Sequence, residues 1–307
     1  MTDRDLCRKN LDKTVEYARQ PRLRQLLNRP WQTVSRSVVM RTLNQFLGGQ
    51  VHLERQASTF FGPEMTVVVP SSAEDLWLFG APVASDAEIR LTRHWLSTLK
   101  PEDTVFDVGA NLGYYALLAA AFSGEVFAFE PSPRILPTLR RNLRGTANAT
   151  VVETALGDRE GTAPLFLAPT HLIGSSSFVE GWTDTTETAE VETTTLDRFC
   201  RERGLRPDWI KIDVEGFEES VLKGAREILT HENPTVAIEV WFHPKKEEHR
   251  RAMQLLLSLG YAPLAIEPSG ESRPLQAVSL ENYFDALRLR YAEIGDHGPD
   301  MLLFKKP

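Results

Sequence analysis

The sequence predicts an α/β fold in which a mostly parallel, doubly wound sheet carries helices on both faces. The first observation is that residues 105–130 contain an apolar strand, a glycine turn, a small-residue helix and a second strand. The second is that strand-like and helix-like segments alternate from residue 104 to the carboxyl end. Such alternation is typical of parallel sheets, because their strands are connected by helices. A chain of 307 residues is long enough for one large domain of this kind with additions.

The amino-terminal part predicts helices. Apolar residues recur at helical intervals from residue 3 to about 47. Pro21 and Pro30 divide this segment into two or three helices, since proline suits the first turn of a helix and disrupts its interior.

A β-hairpin and a further helix are expected next. The runs 65–70 and 75–80 are β-rich and flank a polar turn, which favours a hairpin. A helix is expected from about 85 to 99. We therefore assign residues 1–100 to a helical and β-hairpin extension that serves substrate or oligomer contacts, and residues 101–307 to the main domain.

The main domain is expected to contain seven strands and one insertion. The strand segments are TVFDVG, EVFAFE, TVVETAL, WIKIDV, TVAIEV, YAPLAI and MLLFKK. Between the third and the fourth, residues 160–195 contain two β-rich runs on either side of a serine-rich stretch at 174–177. This pattern predicts an inserted β-hairpin with a serine-rich loop at its far end.

Composition and charge exclude several classes of protein. The two cysteines, Cys7 and Cys200, lack the spacing of a metal site, and we expect a reduced, cytoplasmic protein. No apolar run reaches the roughly 18 residues that a membrane span needs, so no membrane partner is expected. Residues 1–41 hold ten Lys/Arg against four Asp/Glu, but no RNA-binding signature accompanies them. We expect solvated helix faces, no nucleic-acid partner, and a surface available for homo-oligomer contacts.

The βαβ segment indicates a nucleotide-type cofactor. Glycines Gly109 and Gly113 let the backbone approach a ligand, and the following helix offers free N–H groups. Asn111 between them is the non-glycine residue type that best tolerates a left-handed backbone. Glu130 ends the second strand, where an acidic side chain can accept hydrogen bonds from ribose hydroxyls. Tyr114 replaces the third glycine of the fingerprint of hydride-transfer cofactors.

Acidic residues recur at the predicted strand ends. They are Asp107, Glu130, Asp158, Asp213 and Glu239. One acidic residue at such a position is usually a helix cap or a loop charge. Five in succession indicate a site, because the carboxyl ends of parallel strands face one crevice.

Lys211 lies inside a strand that is expected to be buried on both faces. The strand period of two puts it on the same side as Asp213. An ion pair with Asp213 or Asp107 and a substrate contact are both consistent with a buried lysine. After this strand, Glu215 is a candidate active-site residue, and Glu218 is interpreted as stabilising the first turn of a helix.

Six motifs in this order resemble the FkbM-type family of S-adenosylmethionine-dependent methyltransferases. They are D-V-G-A-N-x-G at 107–113, E-P-S at 130–132, A-L-G-D at 155–158, T-L-D at 195–197, K-I-D-V-E-G at 211–216 and L-K-G-A at 222–225. The resemblance covers roughly residues 105–240. It implies a class I, Rossmann-like methyltransferase domain with a seven-stranded sheet whose last strand is antiparallel.

The resemblance also implies how S-adenosylmethionine is held. Its amino-acid part would lie on the glycine turn, formed by Asp107, Gly109, Ala110, Asn111, Gly113 and Tyr114. Glu130, followed by Pro131, would bind the ribose hydroxyls. Leu156 and Asp158 would lie at the adenine.

We expect O-methylation of a hydroxyl on a small-molecule sugar or specialised metabolite, as in natural product biosynthesis. In-line transfer gains from orientation of the two reactants, and an alcohol nucleophile must also lose its proton. Candidate bases are Asp213, Glu215, Glu239 and His243, with Lys211 beside them. A divalent cation held by Asp213 and Glu239 is the alternative, ranked lower because no further carboxylate follows Glu239.

Two other functions stay open at this stage. A nucleotide-cofactor oxidoreductase would share the βαβ segment, although Tyr114 argues against it. A non-catalytic assembly subunit could retain the methyltransferase fold as a scaffold. Intact Gly109, Gly113, Glu130 and Asp213 disfavour that role, because a scaffold does not require a cofactor site.

Overall fold

The described part of the chain covers most of the predicted elements. The computed structural model describes residues 3–20, 53–69, 71, 73–168, 172, 174–182, 185–241, 247–275, 282, 285, 289 and 300–307. The helices expected between 21 and 47, with Pro21 and Pro30, lie outside these residues, as does His243.

Helices and one hairpin form the described part of residues 1–100, which the sequence predicts to be an amino-terminal extension. Its elements are α1 (Arg4–Ala18), β1 (Leu53–Ser58), β2 (Glu64–Val69), α2 (Glu74–Phe79) and α3 (Asp86–Thr98). Strands β1 and β2 are antiparallel, with Leu53 opposite Val69. The helix expected near 85–99 is confirmed as α3.

The predicted pairing of 65–70 with 75–80 is wrong. The first run pairs with β1 instead, and the second forms helix α2. Two acidic residues lie in the first turn of α2, where they stabilise a helix N-terminus. Gly80 ends the helix in a left-handed conformation with φ +69°. These local signals outweigh the apolar character of the run.

The main domain continues with alternating strands and helices. In chain order these are β3 (Thr104–Val108), α4 (Tyr114–Phe122), β4 (Glu125–Phe129), α5 (Leu136–Asn142), β5 (Ala149–Val152), β6 (Ala155–Leu156), β7 (Gly161–Phe166), β8 (Thr188–Thr194), α6 (Leu196–Arg203), β9 (Trp209–Ile212), α7 (Glu218–Lys223), α8 (Arg226–His231), β10 (Thr235–Val240), α9 (Glu247–Ser258), β11 (Ala262–Ile266), β12 (Ser272–Pro274) and β13 (Asp300–Lys305). No helix among the described residues has the length and apolar character needed to cross a bilayer.

One large sheet contains eight of the described strands. Their order is β12-β11-β13-β10-β9-β3-β4-β5. Neighbouring strands from β10 to β5 are parallel, whereas β13 is antiparallel to both β10 and β11. The expected seven strands with an antiparallel last strand are therefore present. The three-residue β12 adds an eighth at the edge beside β11.

The insertion forms a separate three-stranded sheet. Strands β7 and β8 pair antiparallel, with Gly161 opposite Thr193, which confirms the inserted hairpin. The expected third strand TVVETAL is divided between two sheets. Its first part is β5 of the large sheet, and its second part is β6, which pairs parallel with β8.

Helix α3 connects the extension to the large sheet. The guanidinium group of Arg90 lies 2.7 Å from Asp300 Oδ1 and donates to the carbonyl of Ile266. Both charged groups are buried, at 7% and 1% side-chain exposure. Breaking such a pair leaves an uncompensated charge, so the pair fixes α3 against β11 and β13.

Candidate functional site

A cavity of about 300 Å³ lies where four parallel strands end. Residues that follow β3, β4 and β9 line it, together with Glu239 near the end of β10. Its volume is at the lower end of the range of small-molecule sites. Helix α3 and the insertion loop contribute the remaining walls, through residues that include Glu88, Ser175 and Phe178.

The glycine turn after β3 brings two backbone segments into contact. Gly109 has φ +81°, and a Cβ atom there would lie 1.9 Å from the carbonyl oxygen of Asp213. The N–H groups of Gly109 and Ala110 donate to the carbonyl of Phe129, at 3.0 and 2.9 Å. Only glycine therefore allows the turn after β3 to contact the segment after β9.

Asn111 continues this turn in a left-handed conformation, with φ +50°. Its Oδ1 atom is buried and has no hydrogen-bond partner among the described residues. A buried acceptor without a partner is costly, and Asn111 lines the cavity. A ligand in the cavity that carries a hydrogen-bond donor would satisfy it.

The carboxylate of Glu130 is held from two sides. Oε2 accepts a hydrogen bond from the N–H of Asn111 at 3.0 Å, and Oε1 accepts one from the N–H of Ser132 at 2.9 Å. Burial raises the pKa of Glu130 to about 7, although the two N–H donors oppose this effect. Both Glu130 and Pro131 line the cavity. The glutamate is thus fixed at the end of β4 before any ligand binds.

Lys211 is paired with two carboxylates. Its Nζ atom lies 3.2 Å from Asp213 Oδ2 and 3.4 Å from Asp107 Oδ1. Burial lowers the lysine pKa, but the two carboxylates more than offset this effect, so the pKa lies above its ordinary value. Burial also raises the pKa of Asp107, against the attraction of Lys211. The structure therefore shows the ion pair, and Lys211 stands behind the cavity wall rather than in it.

The turn after β9 is held by groups from two other elements. Glu215 has φ +53°, an uncommon backbone conformation for a non-glycine residue. Trp182 of the insertion donates its indole N–H to Glu215 Oε2 at 2.7 Å, and the hydroxyl of Ser177 donates to the carbonyl of Glu215 at 2.6 Å. Glu218 lies in the first turn of α7 as expected, and its Oε1 also accepts from the N–H groups of Val214 and Gly216.

Two further carboxylates, those of Glu239 and Glu88, line the cavity with Asp213. Burial, with repulsion from Asp213, Glu215 and Glu218, raises the pKa of Glu239 well above its ordinary value. The indole N–H of Trp241 donates to Glu239 Oε2 at 3.1 Å. Burial, with repulsion from Asp75 and Asp213, raises the pKa of Glu88 to about 8.

Sequence reasoning missed Glu88, because it lies in a helix and not at a strand end. The available signal is that Glu88 lies between Ala87 and Ile89 in a predicted amphipathic helix, although this pattern does not indicate which surface the helix contacts. An acidic residue on the buried side of an amphipathic helix requires an explanation.

The structure separates the predicted site residues into three groups. Those that line the cavity are Gly109, Asn111, Glu130, Pro131, Asp213, Glu215 and Glu239. Those packed behind it are Asp107, Ala110, Gly113, Tyr114 and Lys211. The hydroxyl of Tyr114, for example, lies 3.3 Å from that of Thr92. His243 is outside the described residues.

Leu156 and Asp158 form the third group, since neither lines the cavity. Leu156 is buried in the apolar core and Asp158 is exposed. The physical reason is that β6 pairs with β8 in the small sheet and not with β5. Their contact with an adenine stays a prediction. Within the described ranges, no group of three or more His, Cys, Asp or Glu side chains is arranged to hold a metal ion.

Comparison with known proteins gives one family and several relatives. The Methyltransferase FkbM domain matches residues 107–263. The chain is 30% identical over 163 residues to the 2-O-methyltransferase NoeI of Sinorhizobium fredii, covering 47% of this chain and 66% of the relative. It is 27% identical over 163 residues to the hexuronic acid methyltransferase AglP of Haloferax volcanii, covering 53% and 65%.

A third relative is the 31-O-demethyl-FK506 methyltransferase FkbM of Streptomyces tacrolimicus, 31% identical over 160 residues. That match covers 42% of this chain and 62% of the relative. The chain thus spans slightly less than two thirds of the length of each of these three relatives.

Proposed function

Because the chain belongs to the FkbM family of methyltransferases, we propose that it transfers a methyl group from S-adenosylmethionine to a hydroxyl of a sugar or specialised metabolite. The observation that carries this proposal is that the glycine turn and Glu130 line the same cavity as Asp213 and Glu239. This arrangement places residues suited to a nucleoside beside residues suited to proton transfer.

The residues present fit S-adenosylmethionine. Gly109 lets the turn after β3 lie against the backbone of Asp213 beside the cavity, and the buried Oδ1 of Asn111 lacks a partner among the described residues. Glu130 offers the carboxylate that a ribose diol requires. When bound, S-adenosylmethionine supplies an electrophilic methyl group on a positively charged sulfur. Gly109 and Asn111 would hold its amino-acid part, and Glu130 its ribose.

Asp213 is the base that this geometry favours. It lines the cavity with 28% of its side chain exposed, and its Oδ2 atom lies 3.2 Å from Lys211 Nζ. Glu239 is less suited, because its raised pKa favours the protonated form, which donates a proton instead of accepting one. The carboxylate of Glu215 is already engaged by Trp182.

The names of the relatives support an oxygen acceptor. Two of them are described as methyltransferases of a 2-O or a 31-O position, and one as acting on a hexuronic acid. A hydroxyl on a sugar or a polyketide is the acceptor class that these descriptions favour. The same family favours the methyltransferase over the oxidoreductase and over the non-catalytic subunit.

A methyl-transfer assay tests this function. The protein is incubated with methyl-labelled S-adenosylmethionine and a panel of sugar and polyketide alcohols, and the position of the label is read by mass spectrometry. We expect the label on an oxygen atom, with turnover unchanged after chelation of divalent cations. Asp213→Asn should keep binding of S-adenosylhomocysteine, whose sulfur is neutral, and lose turnover. If that variant worked at the wild-type rate, Asp213 would be neither the base nor a metal ligand.

A further inference from the structure

Glu88 enters the cavity from outside the matched domain. It lies in the first turn of α3, whereas the family domain begins at residue 107. Ser85 and Ala87 line the cavity with it, so this end of α3 forms one wall. The carboxylate of Glu88 makes no hydrogen bond or ion pair with any residue that the structure describes.

Glu88, Asp213 and Glu239 together form an acidic wall. Asp213 interacts electrostatically with both of the others, since its charge raises the pKa of Glu88 and the pKa of Glu239. Among the described residues, Lys211 is paired with Asp213 of this wall, and it is shared with Asp107. Among the cavity-lining residues that the structure describes, none is lysine, arginine or histidine.

Among the described residues, this balance leaves negative charge uncompensated when the wall is ionised. Carboxylates removed from water are costly unless a cation or several hydrogen bonds accompany them. The raised pKa of Glu88 expresses the same cost, because burial and two neighbouring aspartates oppose its ionisation. A ligand that brings a positive charge into the cavity would offset it.

One observation that is independent of the acidic wall indicates a ligand in this cavity. It is the buried acceptor atom of Asn111, which lines the cavity and has no partner among the described residues. On the proposed function, the ligand is S-adenosylmethionine, whose sulfonium carries a positive charge. Its product, S-adenosylhomocysteine, is a neutral thioether at the same atom.

We propose that Glu88 is a binding residue for the positive charge of the methyl donor, supplied by the amino-terminal extension. The acidic wall then distinguishes the sulfonium donor from its product, whose sulfur is neutral. This inference rests on the proposed function and goes beyond it, because it assigns to α3 a part in cofactor selection. It also gives a physical reason for release of the product after transfer.

Calorimetric titration of three proteins with both ligands tests the inference. The proteins are the wild type, Glu88→Gln and Asp86→Asn. Asp86 is a matched control, because it lies in the same helix turn, is exposed, pairs with Arg19 and does not line the cavity. We expect Glu88→Gln to weaken binding of S-adenosylmethionine about fivefold or more, and binding of S-adenosylhomocysteine less than about twofold. Asp86→Asn should change neither.

The outcomes separate this inference from the proposed function. An equal loss for both ligands in Glu88→Gln, or no loss for either, would overturn the role of Glu88. Failure of the wild type to bind either ligand would instead overturn the proposed function. Glu88→Ala provides a second variant that removes the charge, and the same selective loss is expected from it. Circular dichroism confirms that each variant is folded.

Discussion

Lys211 is the register partner of Asp107 across the parallel pair β9 and β3, and its Nζ atom lies 3.4 Å from Asp107 Oδ1. The side chains are 3% and 0% exposed. The ion pair therefore connects two central strands directly below the turns that carry Gly109 and Asp213. Loss of this ion pair is therefore expected to change the positions of both turns and the geometry of the cavity between them.

Replacement of Lys211 by methionine should strongly destabilise the protein. The substitution leaves Asp107 buried without its cation, which typically costs about 3–5 kcal/mol in free energy of unfolding. Denaturant unfolding at neutral pH measures this cost. Adding Asp107→Asn to the variant should recover part of it, because the uncompensated charge is then removed. A loss below about 1 kcal/mol would show that the pair is not the stabilising element.

Gly109→Ala should abolish cofactor binding through a steric effect. The new Cβ atom would lie 1.9 Å from the carbonyl of Asp213, so one of the two turns must move. Gly145→Ala is the matched control, since Gly145 has a similar φ of +85° but no atom within 4 Å of the added carbon. Titration with S-adenosylhomocysteine should show a loss above about tenfold for Gly109→Ala only. Equal losses in both variants would assign the effect to backbone strain.

Glu130→Gln should weaken binding of S-adenosylmethionine and binding of S-adenosylhomocysteine equally. Both ligands contain the same ribose, and a carboxylate forms stronger hydrogen bonds than an amide. We expect a loss of about tenfold or more for each, measured by calorimetry. This equal loss contrasts with the selective loss expected for Glu88→Gln. A selective loss in Glu130→Gln would place Glu130 at the sulfur rather than at the ribose.

Glu218 should make the stability of the ligand-free protein depend on pH. Burial raises its pKa to about 8, so the folded state binds a proton that the unfolded state has already lost above its ordinary value of 4.5. The contribution of Glu218 to stability is therefore present at low pH and is lost as the pH rises towards 8. Relative to the wild type, Glu218→Gln should become progressively more stable between pH 5 and pH 8. Denaturant unfolding across this range checks the sign, which a constant difference would contradict.

The sequence could predict those site residues whose position depends on local pattern. Asp107, Glu130 and Asp213 each close an apolar segment, and the carboxyl ends of parallel strands meet at one edge whatever the distant contacts are. The glycine turn is likewise local, because it depends on a few consecutive residues. These parts of the site follow from short-range constraints.

The remaining features depend on contacts that are distant in the sequence. Glu88 reaches the cavity because α3 is docked by the ion pair of Arg90 with Asp300, 210 residues further along the chain. No local pattern around residue 88 contains that information. The pairing of β2 with β1 instead of with 75–80 is of the same kind, since a six-residue apolar run fits either a strand or a helix. Asp158 is exposed because β6 pairs with β8 of the insertion, which lies more than 30 residues later in the chain.

The central claim is that the cavity at the ends of β3, β4, β9 and β10 binds S-adenosylmethionine. Calorimetric titration of the folded wild-type protein tests it most directly, first with S-adenosylmethionine and then in competition with S-adenosylhomocysteine. We predict one-to-one binding of each ligand, mutually exclusive and lost in Gly109→Ala. Absence of binding of both ligands to protein shown to be folded would contradict the claim.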